Sequence, residues 1–536
     1  MSDPVIGIDL GTTFSAVASI NRHGMPEVLT NADGARTTPS VVYFEEDGSP
    51  IVGVAARNVA LSDPGRTVMY IKREMGNPSY RLNVDGKEFL PESVSALILR
   101  QLKADAEARL GTEVRRAVIS VPAYFKDSQR TATLAAGELA QLDVIATINE
   151  PTAAAIAYGL EKGKTKQTVL VYDFGGGTFD VTVLNINQNE FTVLSTDGDS
   201  NLGGIDVDQR VADYLADQFA SQRGIDLRAD PYTRLDLMTR AEQAKKDLSF
   251  RQSVMVTLSS GREVSRVDID RARLGGLIGD LVDRTRVCME GALASAEVGW
   301  PQIDAVLLVG GSSRIAAVRD MIRSASGKEL TLDLNPDEVV ACGAALRATL
   351  ADVREGAATP KRATGGGPPA TSEAGIVVRD VATHSLGVRA FNDAGEPVNS
   401  IILPRFTALP CERSRTYATR ADNQRQIEVD VLQGDNPDPF SPEVESIGRL
   451  VMDELPPRPA GEVLVSLTLR YDTDGVVEVE AEELHDGRKV RQQLMRKSGE
   501  LDAEVIESLR RDLDALPSAE LKDARPEGDT GEDSRD

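Results

Sequence analysis

Two segments of this chain combine residue types that suit the binding of phosphate and of a divalent cation. Each ends an apolar run with an aspartate, turns through glycine and then supplies a threonine hydroxyl. The residues are Asp9, Gly11, Thr12 and Thr13 in segment 5–13, and Asp173, Gly176, Gly177, Thr178 and Asp180 in segment 169–180. Glycine lets backbone amides approach phosphate oxygens because no side chain intervenes. Magnesium favours carboxylates together with phosphates and waters. Two such loops predict a site that grips a nucleotide's phosphates from both sides.

A third glycine turn lies in segment 306–314. There an apolar run ends at Gly310 and Gly311, and a helix is predicted to begin close behind Ser312. The combination of strand, glycine pair and helix start suits close packing against a nucleoside.

The bulk composition excludes several other kinds of protein. The 536 residues carry 60 Lys and Arg against 84 Asp and Glu, a formal net charge of −24. Nucleic-acid binding needs clustered cations, so we expect none. No apolar run is long enough to predict a membrane span. The 3 cysteines and 3 histidines are scattered, which disfavours a zinc site and suits a reducing compartment. Because the N-terminus lacks a signal-peptide pattern, we expect a cytoplasmic protein.

The first part of the chain, residues 1–354, mixes two periodicities. Short apolar runs at 169–172 and 306–309 are typical of buried strands. Segments 93–110 and 232–248 carry helical spacing. Strands interleaved with helices predict an α/β domain.

The rest of the chain, residues 355–536, divides into four segments of different composition. Residues 355–380 begin rich in Gly, Pro, Ala and Thr and predict a flexible linker. Apolar and acidic residues then alternate, so 381–497 predicts an antiparallel β domain. Apolar residues at helical spacing predict one short amphipathic helix within 498–517. The acidic, small residues of 518–536 predict a disordered tail.

With these motifs in view, the chain resembles the DnaK-type 70-kDa heat-shock chaperones, within the actin and sugar-kinase ATPase superfamily. The matching segments are 7–13, 36–40, 71–73, 121–125, 149–155, 173–180, 202–204, 309–314 and 335–338. The resemblance implies an α/β actin-like (ribonuclease H-like) two-lobed ATPase domain, followed by a mainly antiparallel β-sandwich with a short C-terminal helix. It implies ATP or ADP and Mg²⁺ as cofactors, with K⁺ as a further ion.

The resemblance also implies a role for individual residues. Lys72 and Glu150 would position the attacking water, and with Asp173 and Thr178 they form the catalytic set. Asp9, Asp173 and Asp180 would hold magnesium, mostly through its waters. The nucleotide-binding set is Asp9, Gly11, Thr12, Thr13, Gly176, Gly177, Gly203, Gly204, Glu242, Lys245, Lys246, Ser249, Gly311, Ser312, Arg314 and Asp337. Within it, the stems of Lys246 and Arg314 would sandwich the adenine.

In the β domain the resemblance implies a site that clasps extended, unfolded polypeptide clients. Its residues would be Phe391, Tyr417, Arg420, Ile427 and Val429. Two of them depart from the family's pattern. Arg420 stands where a small residue usually arches over the peptide, and Phe391 stands where a flexible or small residue is common. Ordinary sandwich core is the alternative role for the pocket residues.

Other departures concern the family's accessory parts. A J-domain co-chaperone and a nucleotide-exchange factor are implied as partners, but Ala146 replaces a basic residue that normally helps to bind the J-domain. Asp380 is retained at the end of the linker, as are Pro122 and Arg130, which are associated with interdomain signalling. The family's long helical lid is not expected, because only one short helix follows the β domain.

Two functions stay open at this point. The first is an ATP-driven, peptide-binding chaperone. The second is a regulatory or scaffold protein that binds ATP with little turnover and holds one dedicated partner. Retention of Lys72, Glu150 and Thr178 favours hydrolysis, whereas Arg420 and the missing lid favour a specialised partner. A metabolite kinase is disfavoured because the C-terminal part has the pattern of a β-sandwich.

Overall fold

The computed structural model describes residues 4–162, 166–331, 335–354, 376–472, 475–494 and 503–517. The predicted tail 518–536 and the linker residues 355–375 lie outside these ranges. The predicted elements of the first part are confirmed. Runs 169–172 and 306–309 lie in strands, and segments 93–110 and 232–248 lie in helices.

Residues 4–354 alternate between strands and helices. The strands are β1 (Val5–Asp9), β2 (Phe14–Ile20), β3 (Pro26–Leu29), β4 (Thr38–Pro39), β5 (Val41–Phe44), β6 (Pro50–Val52), β7 (Thr67–Met69), β8 (Leu82–Val84), β9 (Lys87–Phe89), β10 (Arg116–Val121), β11 (Asp143–Asn149), β12 (Gln167–Phe174), β13 (Phe179–Asn187), β14 (Glu190–Asp199), β15 (Ser253–Ser260), β16 (Glu263–Asp270), β17 (Ala305–Val309) and β18 (Leu330–Thr331). The helices are α1 (Val54–Val59), α2 (Pro91–Leu110), α3 (Asp127–Leu139), α4 (Glu150–Lys162), α5 (Gly204–Arg223), α6 (Pro231–Phe250), α7 (Arg271–Ser295), α8 (Ala316–Ser326) and α9 (Val339–Arg354). Single 3₁₀ turns occur at Pro64–Arg66, Ile71–Glu74, Trp300–Gln302 and Gly311–Arg314.

Two sheets of this part share one strand arrangement. The first has the order β11-β10-β1-β2-β3, with β4 paired to β2. The second begins β18-β17-β12-β13-β14. In each sheet the strand that carries the aspartate loop, β1 or β12, runs antiparallel to its successor and parallel to the strand on its other side. The repeated loop signature in the sequence therefore belongs to a repeated fold.

Helices α4 and α9 cross between the two sheets. A Cβ atom at Gly343 of α9 would collide with the backbone of Ala153 in α4, so the two helices touch backbone to backbone. The run Ala153-Ala154-Ala155 is buried here, together with Ala344. Small side chains permit this close crossing, which fixes the spacing of the two halves.

In the second part, every pairing between strands of the two sheets is antiparallel. Its elements are β19 (Val377–Arg379), β20 (Leu386–Phe391), β21 (Pro397–Leu403), β22 (Cys411–Ala418), β23 (Ile427–Gln433), β24 (Glu445–Met452), β25 (Leu464–Tyr471), β26 (Val477–Glu483), β27 (Lys489–Gln493) and α10 (Ala503–Asp514). Two four-stranded sheets, β21-β20-β23-β24 and β22-β25-β26-β27, enclose one apolar core. The alternating pattern is clearest in β26, where every second side chain from Val477 to Glu483 is buried.

The described end of the predicted linker is a strand. Strand β19 pairs in parallel with β14 and extends the second sheet, with Glu190 opposite Val377 and Thr192 opposite Arg379. The alternation of exposed and half-buried residues in this strand reflects an edge position. Residues 376–380 therefore hold the sandwich close to the first part of the chain instead of forming a flexible connection.

Polar contacts of Asp380, Gln433 and His384 join this region to the first part of the chain. The side chain of Asn149 donates to Asp380 at 2.7 Å, and the amide of Asp127 donates to Gln433 Oε1 at 2.9 Å. His384 places Nε2 3.1 Å from the carbonyl oxygen of Tyr124, and the two rings meet edge to face. Burial raises the pKa of Asp380 and lowers the pKa of His384 to about 4.

The predicted amphipathic helix is present as α10, and its apolar face packs against the first part of the chain. Ile506 and Leu513 are buried in the same cluster as Leu139 of α3. At its end, Asp514 pairs with Arg100 of α2 at 2.7 Å. Within the described ranges, no helix is long and apolar enough to cross a lipid bilayer.

Candidate functional site

A cavity of about 400 Å³ opens between the two repeated sheets. Most of the predicted nucleotide-site residues line it. They are Asp9, Gly11, Thr12, Thr13, Lys72, Glu150, Asp173, Gly176, Thr178, Gly204, Glu242, Lys245, Lys246, Ser249, Gly311, Ser312, Arg314 and Asp337. Residues separated by up to about three hundred positions in the sequence thus meet around one space, because both sheets direct their loop-bearing edges towards it.

The two aspartate loops face each other across the cavity floor. A Cβ at Gly176 would lie 2.6 Å from Thr13 Cγ2, so the threonines of the first loop lie directly against the glycines of the second. The turn after β12 is closed by the amide of Gly175, which donates to the Thr178 carbonyl at 3.1 Å. Side chains larger than hydrogen at this contact would separate the loops.

Three carboxyl groups cluster at one end of the cavity: Asp9 and Asp173 line its wall, and the buried Asp180 lies behind Asp173. Asp173 and Asp180 are paired opposite each other on β12 and β13, and Asp9 ends β1. Burial, reinforced by the charge of Glu150, raises the pKa of Asp9 and of Asp180 to about 7, and raises that of Asp173 well above its ordinary value. Clustered buried carboxylates of this kind require a compensating cation in order to stay ionised.

These groups fit magnesium. Carboxylates are hard oxygen ligands, and the threonine hydroxyls and glycine amides beside them suit phosphate oxygens. Among the described residues, no three His, Cys, Asp or Glu side chains converge closely enough to ligate one ion directly. A magnesium ion held by Asp9, Asp173 and Asp180 would therefore keep several of its waters, as this ion usually does.

A buried ion pair lies beside the carboxyl cluster. Lys72, in the 3₁₀ turn after Tyr70, places Nζ 2.6 Å from Oε1 of Glu150 at the start of α4. Their side chains are only 7% and 10% exposed, so the ammonium is strongly restrained in position. The Lys72 ammonium also lies 5.7 Å from the centre of the Phe125 ring. A fixed ammonium and carboxylate at this place could orient a polar reactant in the cavity.

The opposite end of the cavity has long cationic side chains. Glu242 accepts from Lys246 at 2.6 Å and from Arg57 at 2.5 Å, and both cations lie 5.3 Å from the centre of the Phe14 ring. Although burial opposes the effect, these two cations hold the pKa of Glu242 below its usual value. The stems of the cations offer flat, partly apolar surface of the kind that packs on a planar base.

Across from this group, Arg314 pairs with Asp337 at 2.8 Å. Ser312 donates its hydroxyl to the Gly175 carbonyl at 2.9 Å, which ties the third glycine turn to the second loop. Lys246 and Arg314, the two residues predicted to sandwich adenine, therefore both line the cavity.

Lys245 occupies a different environment from its neighbour Lys246. Its Nζ is buried, 2.8 Å from Asp208 and 3.0 Å from the Gly204 carbonyl. Burial raises the pKa of Asp208 to about 6, and the Lys245 ammonium opposes that rise. Lys245 therefore stabilises the start of α5 through these two contacts, in addition to lining the cavity.

Three predicted residues are not on the cavity wall. Asp180 accepts the Tyr124 amide at 2.8 Å, behind Asp173. Gly177 accepts from Arg73 through its carbonyl at 2.9 Å. Gly203 precedes α5, and its amide donates to Asp206 at 2.7 Å. Gly177 and Gly203 nevertheless lie directly against Thr12 and Gly176, which line the cavity.

Sequence reasoning gave no role to several residues that build the site. Arg73 bridges Gly177 and Asp206 and so links the 3₁₀ turn to the second loop. Arg57, Phe14 and Asp208 also line the cavity. Arg73 lies within the matching segment 71–73 and Phe14 directly follows segment 7–13, and this position in the sequence is the signal that could have identified them.

The predicted peptide site lies at one end of the sandwich. Phe391 is 46% exposed at the end of β20, and the guanidinium carbon of Arg420 lies 3.4 Å from its ring centre. Tyr417 and Ile427 are half-buried, and the hydroxyl of Tyr417 lies 2.9 Å from Ser400 Oγ. Val429 belongs to the sandwich core and is 3% exposed. Core packing, the alternative role for the pocket residues, thus describes Val429 in this structure.

A comparison of the sequence with models of protein families identifies its family. The sequence matches the family described as Hsp70 protein over residues 5–81 and 76–532, which together span nearly the whole chain. The match includes both aspartate loops, the cavity and the sandwich. This chain therefore belongs to the Hsp70 family.

Proposed function

We propose that this chain is an ATP-dependent molecular chaperone that binds extended apolar segments of unfolded polypeptides, with ATP hydrolysis controlling client binding. Members of the Hsp70 family are in general ATPases and chaperones that bind ATP or ADP with Mg²⁺. The proposal for this chain rests on one observation: the facing aspartate loops share a cavity with the Lys72–Glu150 ion pair.

Each group in the cavity has a role in this proposal. The two halves act as lobes of an actin-like fold, and Gly11, Thr12, Thr13 and Gly176 bind the phosphates. Magnesium, when bound, neutralises charge on the transferring phosphoryl group. Lys72 and Glu150 orient the attacking water. Phosphoryl transfer depends mainly on positioning and charge stabilisation, and a restrained ion pair supplies both.

The route from the cavity to the sandwich is short. Glu150 begins α4, and the preceding residue, Asn149, donates to Asp380 at the end of β19. On the other side, Asp180 accepts the amide of Tyr124, whose carbonyl faces His384. We infer that a change in the phosphates alters the position of these residues and therefore the docking of the sandwich.

Single-turnover hydrolysis of radiolabelled ATP with Mg²⁺, with and without an unfolded polypeptide, tests the proposal. We expect Lys72→Ala to slow the chemical step at least ~100-fold, as loss of a group that stabilises or orients the reactants does. Lys87→Ala is the matched control, because Lys87 is exposed on β9 and away from the cavity. Nucleotide binding by both variants shows that the fold is intact.

Removal of Lys72 leaves Glu150 buried without its partner, so a second variant is needed. Thr178→Val keeps the charges and the shape of the loop but removes a hydroxyl from the cavity wall. Slow turnover in both variants supports the chaperone ATPase. A wild-type chain that binds ATP without hydrolysing it contradicts this function and favours the scaffold with one dedicated partner, which the Arg420–Phe391 contact at the mouth of the peptide site also favours.

A further inference from the structure

The contact between Arg420 and Phe391 joins two separate connections of the sandwich. Phe391 ends β20 and begins the turn to β21, whereas Arg420 lies in the loop from β22 to β23. The guanidinium carbon is 3.4 Å from the ring centre, which is the spacing of a planar group lying flat on the ring. Both side chains are exposed. The pair therefore closes over this end of the sandwich from two sides.

Flat stacking leaves the edge of the guanidinium open. Its interaction with Phe391 uses the face of the group, while its N–H donors point outward in the plane. In the described part of the chain, no carboxylate lies within ion-pair distance of Arg420, and its only hydrogen bond runs from the backbone amide to Gln424. The nearby Asp422 does not pair with Arg420; its carboxylate accepts a hydrogen bond from the Ala460 amide at 2.9 Å.

Other arginines of the same molecule show how such a group accepts a carboxylate. Arg389 lies 5.0 Å from the centre of the Phe440 ring and pairs with Asp430 at 2.6 Å. In the cavity, Arg57 contacts the ring of Phe14 and pairs with Glu242 at 2.5 Å. In both cases the guanidinium lies near an aromatic ring and also pairs with a carboxylate. Arg420 has the ring in closer contact than either but lacks the carboxylate.

We propose that the stacked guanidinium of Arg420 is a carboxylate-binding site, and that it makes this chain prefer extended clients with an Asp, Glu or terminal carboxylate beside an apolar segment. The inference rests on the proposed function, since it names the client class of the same peptide site. A carboxylate binds a planar guanidinium through two parallel hydrogen bonds, and a ring that already restrains the group lowers the entropic cost. The exposed Phe391 ring offers apolar surface to the neighbouring client side chain.

The test measures peptide binding by the full chain with ADP, using fluorescence anisotropy. Labelled nine-residue peptides have one apolar centre, blocked ends, and Glu, Gln or Lys at one flanking position. A fourth peptide has Gln at that position and a free C-terminal carboxylate. We expect the Glu peptide to bind about three- to ten-fold more tightly than the Gln peptide, with Lys weakest. The fourth peptide distinguishes a terminal from a side-chain carboxylate.

Variants of Arg420 and Phe391 test whether the preference for a carboxylate comes from this pair. Arg420→Gln should equalise the Glu and Gln peptides, and Arg420→Glu should reverse the order so that the Lys peptide binds best. Phe391→Leu should leave the affinity for the Gln peptide unchanged and reduce the ratio by which the Glu peptide binds more tightly. Arg413→Gln is the matched control, because Arg413 on β22 is exposed, stacks on no described ring and has no described carboxylate partner.

Two results overturn the inference. Equal affinity of the wild-type chain for the Glu, Gln and Lys peptides removes the preference itself. A preference for Glu that persists in Arg420→Glu assigns it to another group. If no peptide binds, the result contradicts the proposed chaperone function as well. If the chain hydrolyses ATP and binds all peptides regardless of their charge, the chaperone function is supported and only the role of Arg420 is contradicted.

Discussion

The nucleotide cavity and the Arg420–Phe391 end of the sandwich use charge in opposite ways. In the cavity, Lys72 and Glu150 are almost fully buried and are paired with each other at 2.6 Å. At the sandwich, Arg420 is exposed and has an aromatic ring, but no described carboxylate, as its neighbour. A buried charge without a partner is costly, so the cavity tolerates little change. An exposed cation has no such penalty, so the sandwich can vary its client preference at small cost in stability.

The largest expected effect is in the cavity. Lys72→Met should lower the free energy of unfolding by about 3 kcal/mol, because it leaves Glu150 buried without its counter-charge. Glu150→Gln should cost less, because Lys72 still faces the carboxyl groups of Asp9, Asp173 and Asp180, whose pKa values the charge of Glu150 raises. The double variant should lose less than the sum, since it leaves no unpaired charge. Urea unfolding followed by the fluorescence of Trp300, the single tryptophan, reports on this part of the chain.

Additive losses in that cycle would mean that the pair is not coupled, and the contrast between the two regions would disappear. Lys87→Met is the control for a lysine without a buried partner, and it should change the free energy of unfolding little.

A smaller effect is expected at the interface between the two regions. Burial lowers the pKa of His384 from its ordinary 6.5 to about 4 in the docked structure, so the undocked chain binds the extra proton first. Docking is therefore at full strength above pH 6.5 and weakens as the pH falls towards 4. The loss is roughly 2 kcal/mol at pH 5. Small-angle scattering should show a larger radius of gyration at pH 5 than at pH 7.5.

The groups around His384 set the background of this titration. Asp435 favours the protonated form, whereas Arg130 and Lys126 oppose it. His384→Gln should remove the component due to this residue, and His485→Gln, an exposed control, should retain it. An unchanged pH response in His384→Gln would assign the expansion to the acidic groups of the cavity instead.

The smallest expected effect is on the stability of the sandwich. Arg420→Gln should lower its free energy of unfolding by no more than about 1 kcal/mol, because an exposed cation–aromatic contact contributes about that much. Differential scanning calorimetry of the variant, compared with Arg413→Gln, measures the difference. A loss of several kcal/mol would make Arg420 a structural residue and would remove the contrast with the cavity.

The parts of the fold and site that the sequence predicts are local. Each aspartate loop is continuous in sequence, so its residue types and spacing identify it without knowledge of the rest of the fold. The strands of the sandwich follow from alternation and the helices from their spacing. The equivalence of the two sheets is also foreshadowed by the repeated signature, although their strand order is not.

Contacts between segments that are distant in the sequence were harder to predict from the sequence alone. The partnership of Lys72 with Glu150 came from family resemblance, because neither residue has a local pattern that requires the other. Arg57 had no signal at all, since its role depends on the packing of α1 near α6. The apolar stripe of α10 predicted a buried face but not the surface that covers it. The flat stacking of Arg420 depends on two loops whose geometry neither sequence segment specifies alone.

Strand β19 has a consequence for the chain's behaviour in solution. While 377–379 pairs with β14, the backbone donors and acceptors along that side of the sheet are satisfied. When the segment leaves, β14 becomes an open edge that can accept an extended strand from any source, including the same segment of a second copy. Conditions that separate the sandwich from the first part of the chain should therefore also promote reciprocal strand exchange, and the resulting dimer should accumulate with protein concentration.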